Sequence, residues 1–81
     1  MTSPAFEQVR SIAADIFSVS PDHITSQSSP QNLDAWDSTQ HLSFVLALEE
    51  RFNLQFSPEE MEQMRDVGST VQVIETKLHG N

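Results

Sequence analysis

The residue best placed for covalent chemistry is Ser38, which follows Asp37 where a polar stretch gives way to an apolar helical pattern. Both side chains are good N-caps, because their oxygens accept hydrogen bonds from the free amide groups of a helix's first turn. The same N–H groups and the positive end of the helix dipole also favour a phosphate attached to the serine. The residues alone therefore leave two interpretations of Ser38: an ordinary helix cap, or the attachment site of a phosphate-containing group.

No other set of residues suggests a catalytic or metal centre. The histidines His23, His41 and His79 are too scattered for a metal site to be inferred from their spacing, and the sequence has no cysteine. Calcium-loop, phosphate-loop and nucleophile-elbow patterns are absent, and no base is evident for Ser38, which argues against a hydrolase. We therefore expect neither a catalytic residue nor a bound metal.

The helix that would begin at Ser38 carries more apolar surface than packing against a core requires. With successive residues about 100° apart around the axis, one arc holds a complete core stripe. This stripe is Phe44, Val45, Leu48 and Phe52, with His41 among them. Leu42 and Leu46 lie outside it. They share a second face with Thr39 and Glu49, flanked by Ser43 and Glu50. The two leucines either contact the long loop or another helix, or form a docking face whose acidic groups orient a basic partner.

Apolar residues at helical spacing predict the first two helices, over residues 4–17 and 38–52. Ser3 is a good N-cap for the first helix, and Asn53 a suitable stop for the second. The core stripe of the first helix is Phe6, Val9, Ile12, Ala13, Ile16 and Phe17. Residues 18–37 are rich in Pro, Ser, Asp, Asn and Gln, which predicts a long loop. We expect Ile24 and Leu33 to pin this loop to the core, and a helical turn can form over residues 21–24.

Two further helices are predicted in the C-terminal part. A short third helix fits residues 58–64, with Ser57 as N-cap. The fourth fits residues 67–78, with Asp66 as cap, Gly80 as stop and Gly68 weakening its start. Its core stripe would be Val67, Val71, Ile74 and Leu78. The predicted fold is all-α: a small four-helix bundle, with three main helices, one short helix and a long first loop.

Composition narrows the possible partners and locations. The chain has 81 residues, enough for one domain, and 12 acidic residues against 4 Lys and Arg give a net charge of −8. This charge argues against nucleic acid and either attracts partners with basic surfaces or simply keeps the protein in solution. The N-terminus lacks signal-peptide features, and the longest apolar run, residues 44–48, is too short to span a membrane. We therefore expect a soluble cytoplasmic protein without a membrane partner.

Taken together, these residues resemble the acyl carrier protein family. The family pattern is Asp-Ser-Leu and then a helix that ends in Leu-Glu-Glu-x-Phe, which here corresponds to residues 37–52 with the ending at 48–52. Downstream, Phe56 and residues 58–60 match the family's short third helix, and upstream Asn32-Leu33 resembles its Asp-Leu-Gly. The resemblance spans nearly the whole chain in order and spacing.

The resemblance implies that a transferase attaches 4′-phosphopantetheine from coenzyme A to Ser38, and that the thiol of this arm carries an acyl group as a thioester. Asp37 resembles the acidic residue that helps the transferase recognise the serine. The positions that match the family's partner contacts are Thr39, Leu42, Leu46, Glu49 and Glu50. The expected partners are a phosphopantetheinyl transferase and acyl-loading and acyl-processing enzymes with basic docking surfaces, while the carrier itself catalyses nothing.

Several positions depart from the family pattern. Thr39 stands where Leu or Met is usual, and Gln40 and Ser43 replace residues that are often acidic. Trp36 stands where a small residue is common, and either shields the arm or contacts partners, or has a packing role. His41 either borders the arm or is a partly buried helix histidine. These differences bear on the choice of partners more than on the attachment.

Questions of cargo and context stay open at this point. The acyl chain either tucks between helices, against residues such as Phe44, Val45 and Ile74, or swings out to a partner. An aminoacyl or peptidyl carrier would use the same serine, although the acidity favours the acyl type, and an unmodified helical adaptor would use only Leu42 and Leu46. We expect a discrete, monomeric carrier with one domain over residues 1–81, serving fatty-acid, polyketide or related biosynthesis.

Overall fold

The computed structural model describes residues 4–79, which form four α-helices and no strand. The helices are α1 (Pro4–Phe17), α2 (Ser38–Phe52), α3 (Pro58–Gln63) and α4 (Val67–His79), with a 3₁₀ turn at Pro21–His23 between α1 and α2. Helix α1 packs against both α2 and α4, and α3 packs against α4. The predicted all-α bundle with a long first loop is thus confirmed. None of the helices within the described residues has the length and hydrophobicity needed to cross a bilayer.

The helix starts follow the predicted capping residues. Asp66 Oδ1 accepts the Ser69 N–H at 2.7 Å at the start of α4. Ser57 and Glu60 form a reciprocal capping box at the start of α3. Helix α2 ends at Phe52, and the predicted stop, Asn53, follows as its C-cap with a left-handed backbone and φ of 55°. The predicted Ser3 cap and Gly80 stop lie outside the described residues.

The core lies where the three long helices meet. The predicted stripe of α1 is buried at Val9, Ala13 and Phe17, whereas Phe6, Ile12 and Ile16 are only partly buried. The stripe of α2 is buried at Phe44, Val45 and Leu48, with Phe52 at its edge.

The predicted stripe of α4 is wrong at its last position, because Leu78 is 48 % exposed. Near its C-terminus the helix contacts α3 through Lys77. Lys77 Nζ lies 2.9 Å from Glu60 Oε1 of α3, and Val73 is buried. Leu78 therefore lies outside the packed face.

The long loop is tied to the core and to the start of α4. Ile24 is 2 % exposed and Leu33 is partly buried, as expected. The Gly68 N–H donates to the Ser26 carbonyl at 2.8 Å. A Cβ on Gly68 would lie 3.0 Å from the same oxygen, so the glycine that weakens the helix start also permits this close approach.

Candidate functional site

Ser38 is the first residue of α2, and it is exposed. The N-cap is Asp37, whose Oδ1 accepts the Gln40 N–H at 2.9 Å, so Ser38 is not the ordinary cap that its type allows. Its hydroxyl has no hydrogen-bond partner among residues 4–79, and the same holds for the backbone N–H groups of Ser38 and Thr39. A phosphate esterified to Ser38 would find free N–H donors and the positive end of a 15-residue helix beside it.

An open pocket of about 450 Å³ adjoins Ser38. It is lined by Pro30, Trp36, Asp37, Ser38 and His41. The long loop and the first turn of α2 thus both contribute to the surroundings of the serine. Space beside the hydroxyl and free donors at the helix end fit an attached phosphate-containing arm.

Trp36 and His41 form a hydrogen-bonded pair within this pocket. The Trp36 indole N–H donates to His41 Nδ1 at 3.0 Å, which places the proton of the neutral imidazole on Nε2. Trp36 is only 2 % exposed, and its ring stacks on Phe17 with a 5.0 Å centroid separation. Of the roles open to Trp36, packing is the one that this burial supports, and the sequence had given no sign of its bond to His41.

Burial lowers the pKa of His41, because desolvation penalises the charged imidazolium. The neutral ring is therefore favoured in the folded state, and a proton on Nδ1 would also remove the acceptor that Trp36 uses. We expect the stability gained by keeping His41 neutral to be present in full above pH 6.5, the ordinary pKa of histidine. It should be lost progressively as the pH falls from there through the lower folded-state pKa.

The measurement is urea unfolding between pH 5 and 8 for the wild type and His41→Gln. The wild type should lose more stability than the variant on acidification. His23→Gln, at an exposed position of the 3₁₀ turn, is the matched control. On acidification it should lose as much stability as the wild type. Parallel pH profiles for wild type and His41→Gln would contradict this account of the pair.

The outer face of α2 presents the two predicted leucines to solvent. Leu42 and Leu46 are each 60 % exposed, so the interpretation that they pack against the loop or another helix is wrong. They follow Ser38 at intervals of four residues, which places all three along one side of the helix. Thr39 and Glu50 are likewise exposed.

Glu49 differs from its neighbours on this face. It is half-buried, and its Oε2 accepts the Phe56 N–H at 3.0 Å. This bond ties the end of α2 to the segment that precedes α3. The sequence singled out Glu49 as a partner contact, but the structure also gives it a part in the fold.

No group of three or more potential ligand side chains among residues 4–79 could hold a metal ion. His23 and His79 lie on the 3₁₀ turn and at the end of α4.

Comparison with known proteins identifies the family. No family model matches the chain. The acyl carrier protein of Wolinella succinogenes is 33 % identical over 72 residues, which cover 88 % of this chain and 93 % of that protein. The chain belongs to the acyl carrier protein family. The match extends over nearly all of both chains. It agrees with the family that the sequence pattern around Ser38 indicated.

Solved structures of the acyl carrier protein family share the fold. The solution structure of holo acyl carrier protein from Geobacter metallireducens superposes with a TM-score of 0.84 at 25 % identity, covering 94 % of this chain and 87 % of that one. The holo acyl carrier protein of Nitrosomonas europaea gives a TM-score of 0.81 at 26 % identity, covering 94 % and 98 % of the two chains.

Proposed function

We propose that this protein carries acyl groups as thioesters on a 4′-phosphopantetheine arm attached to Ser38, and that it serves partner enzymes without catalysis of its own. The observation that carries the proposal is the exposed Ser38 hydroxyl, unpaired among residues 4–79, at a helix start with two free N–H donors. The kinship with acyl carrier proteins supports it, and both structural relatives are described as holo forms.

Attachment requires a phosphopantetheinyl transferase and coenzyme A. Ser38 Oγ forms a bond to the phosphorus next to the pantetheine, the bond to the adenosine bisphosphate breaks, and the hydroxyl proton is lost. Since no base contacts Ser38 Oγ among residues 4–79, the transferase supplies the base. When bound, the group supplies the terminal thiol that holds the acyl chain, in a protein that has no cysteine.

Asp37 has two separable roles in this proposal: it caps α2, and its charge helps the transferase recognise Ser38. Asp37→Ala should lower the free energy of unfolding by about 1 kcal/mol and slow the transfer, because the variant loses both the cap and the charge. Asp37→Asn should keep nearly all the stability, since Asn is as good a cap, yet still slow the transfer. Urea unfolding and a time course of mass gain measure the two effects. Transfer by Asp37→Asn at the wild-type rate would show that the charge is not recognised.

We place the docking surface on the outer face of α2. Leu42 and Leu46 offer exposed apolar anchors next to the arm, and the carboxylates of Glu49 and Glu50 offer negative charge to basic partners. The net charge of −8 favours the same acyl-loading and acyl-processing partners.

Substitution of an anchor leucine tests this surface. Leu42→Asp should weaken binding to the transferase by about tenfold or more, in line with the loss of a central interface anchor. Leu78→Asp is the matched control, because Leu78 is also exposed but lies on α4. Circular dichroism should confirm that both variants fold, and equal losses of affinity in both would place the docking surface elsewhere.

The intact mass of the protein purified from its native host distinguishes the proposed acyl carrier from two alternatives, an aminoacyl or peptidyl carrier and an unmodified adaptor. A carrier shows one phosphopantetheine, free or with an acyl cargo whose mass narrows the possible pathways. An aminoacyl or peptidyl carrier shows an amino acid or peptide on the same arm. An unmodified adaptor shows the mass of the chain alone, which would contradict the proposal.

A further inference from the structure

Three aromatic rings pack together in the core, and one of them, that of Trp36, also lines the pocket beside Ser38. We call Phe17, Trp36 and Phe44 the aromatic floor. The Phe17 and Trp36 centroids lie 5.0 Å apart, and each lies 5.4 Å from Phe44. The three side chains are 2 %, 2 % and 0 % exposed. They come from α1, the long loop and α2, so the floor joins these three parts of the chain.

The indole of this floor is held on several sides. Its face stacks on Phe17, and it meets Phe44 at an interplanar angle of 75°. Its N–H is bonded to His41 Nδ1, and the imidazole ring lies 6.0 Å away in a stacked arrangement. Trp36 also lines the pocket beside Ser38 although it is almost wholly buried. The buried indole therefore forms part of the wall of this pocket.

We propose that the aromatic floor closes the route from Ser38 into the bundle, so that the cargo stays outside and the carrier suits short or polar acyl groups. This inference rests on the proposed function. A chain entering the core would have to displace close-packed rings and break the Trp36–His41 hydrogen bond. Val45 and Ile74, against which a tucked chain would lie, are themselves 2 % and 0 % exposed. A long alkyl chain left in water is unfavourable, whereas a short or polar group is not.

The test compares acetyl and octanoyl forms, prepared with the corresponding acyl-coenzyme A and a phosphopantetheinyl transferase and verified by intact mass. Trp36 is the only tryptophan, so its fluorescence and its indole N–H resonance report on the floor directly. We expect both signals, the methyl resonances of Val45 and Ile74, and Tm to be the same in the two forms. Methyl shifts specific to the octanoyl form, or a Tm that rises with chain length, would overturn the inference.

Opening the floor should admit the chain. In Trp36→Leu we expect the octanoyl group to shift the Ile74 methyl resonances and to raise Tm above that of the acetyl form. Phe44→Leu gives a second opening if the first variant does not fold. Phe52→Leu, a partly buried aromatic outside the floor, is the control and should behave as the wild type.

The outcomes separate the two proposals. A protein that takes up no arm overturns both the proposed function and this inference. A protein that takes up the arm and inserts the octanoyl chain overturns the inference alone. If the wild type excludes the chain and the opened variants do so as well, the aromatic floor is not the barrier.

Discussion

Ser38→Ala is expected to take up no phosphopantetheine when it is incubated with coenzyme A and a phosphopantetheinyl transferase. The expected effect is a complete loss, because alanine offers no oxygen to form the phosphodiester bond. The fold should change little, since Asp37 and not Ser38 caps α2, and exposed substitutions away from such features usually stay within about 0.5 kcal/mol. Intact mass and urea unfolding measure the two expectations.

Ser43→Ala provides the matched control for this loss. Ser43 lies on the same helix, five positions further on, and is half-buried. We expect this variant to gain the group as the wild type does. Modification of Ser38→Ala at another serine would contradict the assignment of Ser38.

Trp36→Ala is expected to lower the free energy of unfolding by about 3–5 kcal/mol, the range found when large buried aromatic residues are truncated. The variant would lose the stacking on Phe17 and the edge contact with Phe44. It would also leave His41 Nδ1 without its donor. A domain of this size has a stability of only about 5–15 kcal/mol, so a substantial part of it depends on this one side chain.

Chemical denaturation followed by far-UV circular dichroism is the suitable measurement, because the substitution removes the only fluorescent indole. Trp36→Phe should lose less stability, since it keeps an aromatic ring while removing the N–H donor. A loss below about 1 kcal/mol for Trp36→Ala would contradict the packing role, because it would resemble an exposed substitution.

Much of the fold follows from local sequence features. Ser57 followed by Pro58 sets the start of α3, and Asp66 sets the start of α4. Apolar residues at helical spacing set the extent of α1 and α2. Two of the ends moved by one residue: α3 ends at Gln63 and α4 at His79. Helix ends depend on fraying and on the last hydrogen bond, which spacing alone does not determine.

Contacts between residues that are distant in the sequence could not be predicted. Trp36 lies 19 positions after Phe17 in the sequence, and no periodicity predicts that the loop brings the two rings together. Leu78 continues the spacing of its helix yet is 48 % exposed, and spacing does not predict the neighbouring Lys77–Glu60 ion pair with α3 either. Gly68 weakens a helix locally, and only the nearby Ser26 carbonyl explains why a glycine suits the position.

The candidate site shows the same division. The apolar pattern of α2 is enough to place Leu42 and Leu46 outside the core, and their exposure confirms it. The choice between Asp37 and Ser38 as cap is a matter of side-chain geometry, because both residue types can accept the Gln40 N–H. The Glu49 carboxylate also bonds the Phe56 N–H seven residues further on, which a helical wheel does not reveal.

The central claim, that Ser38 is the attachment site of a carrier, is tested most directly by one mass measurement on the wild-type protein. The protein is incubated with coenzyme A and a phosphopantetheinyl transferase, and its intact mass is measured. Proteolytic digestion and peptide mass analysis then locate the modification. The account predicts a gain of one phosphopantetheine group per chain, confined to the peptide that contains Ser38. An unchanged mass, or a group located on another residue, would contradict it.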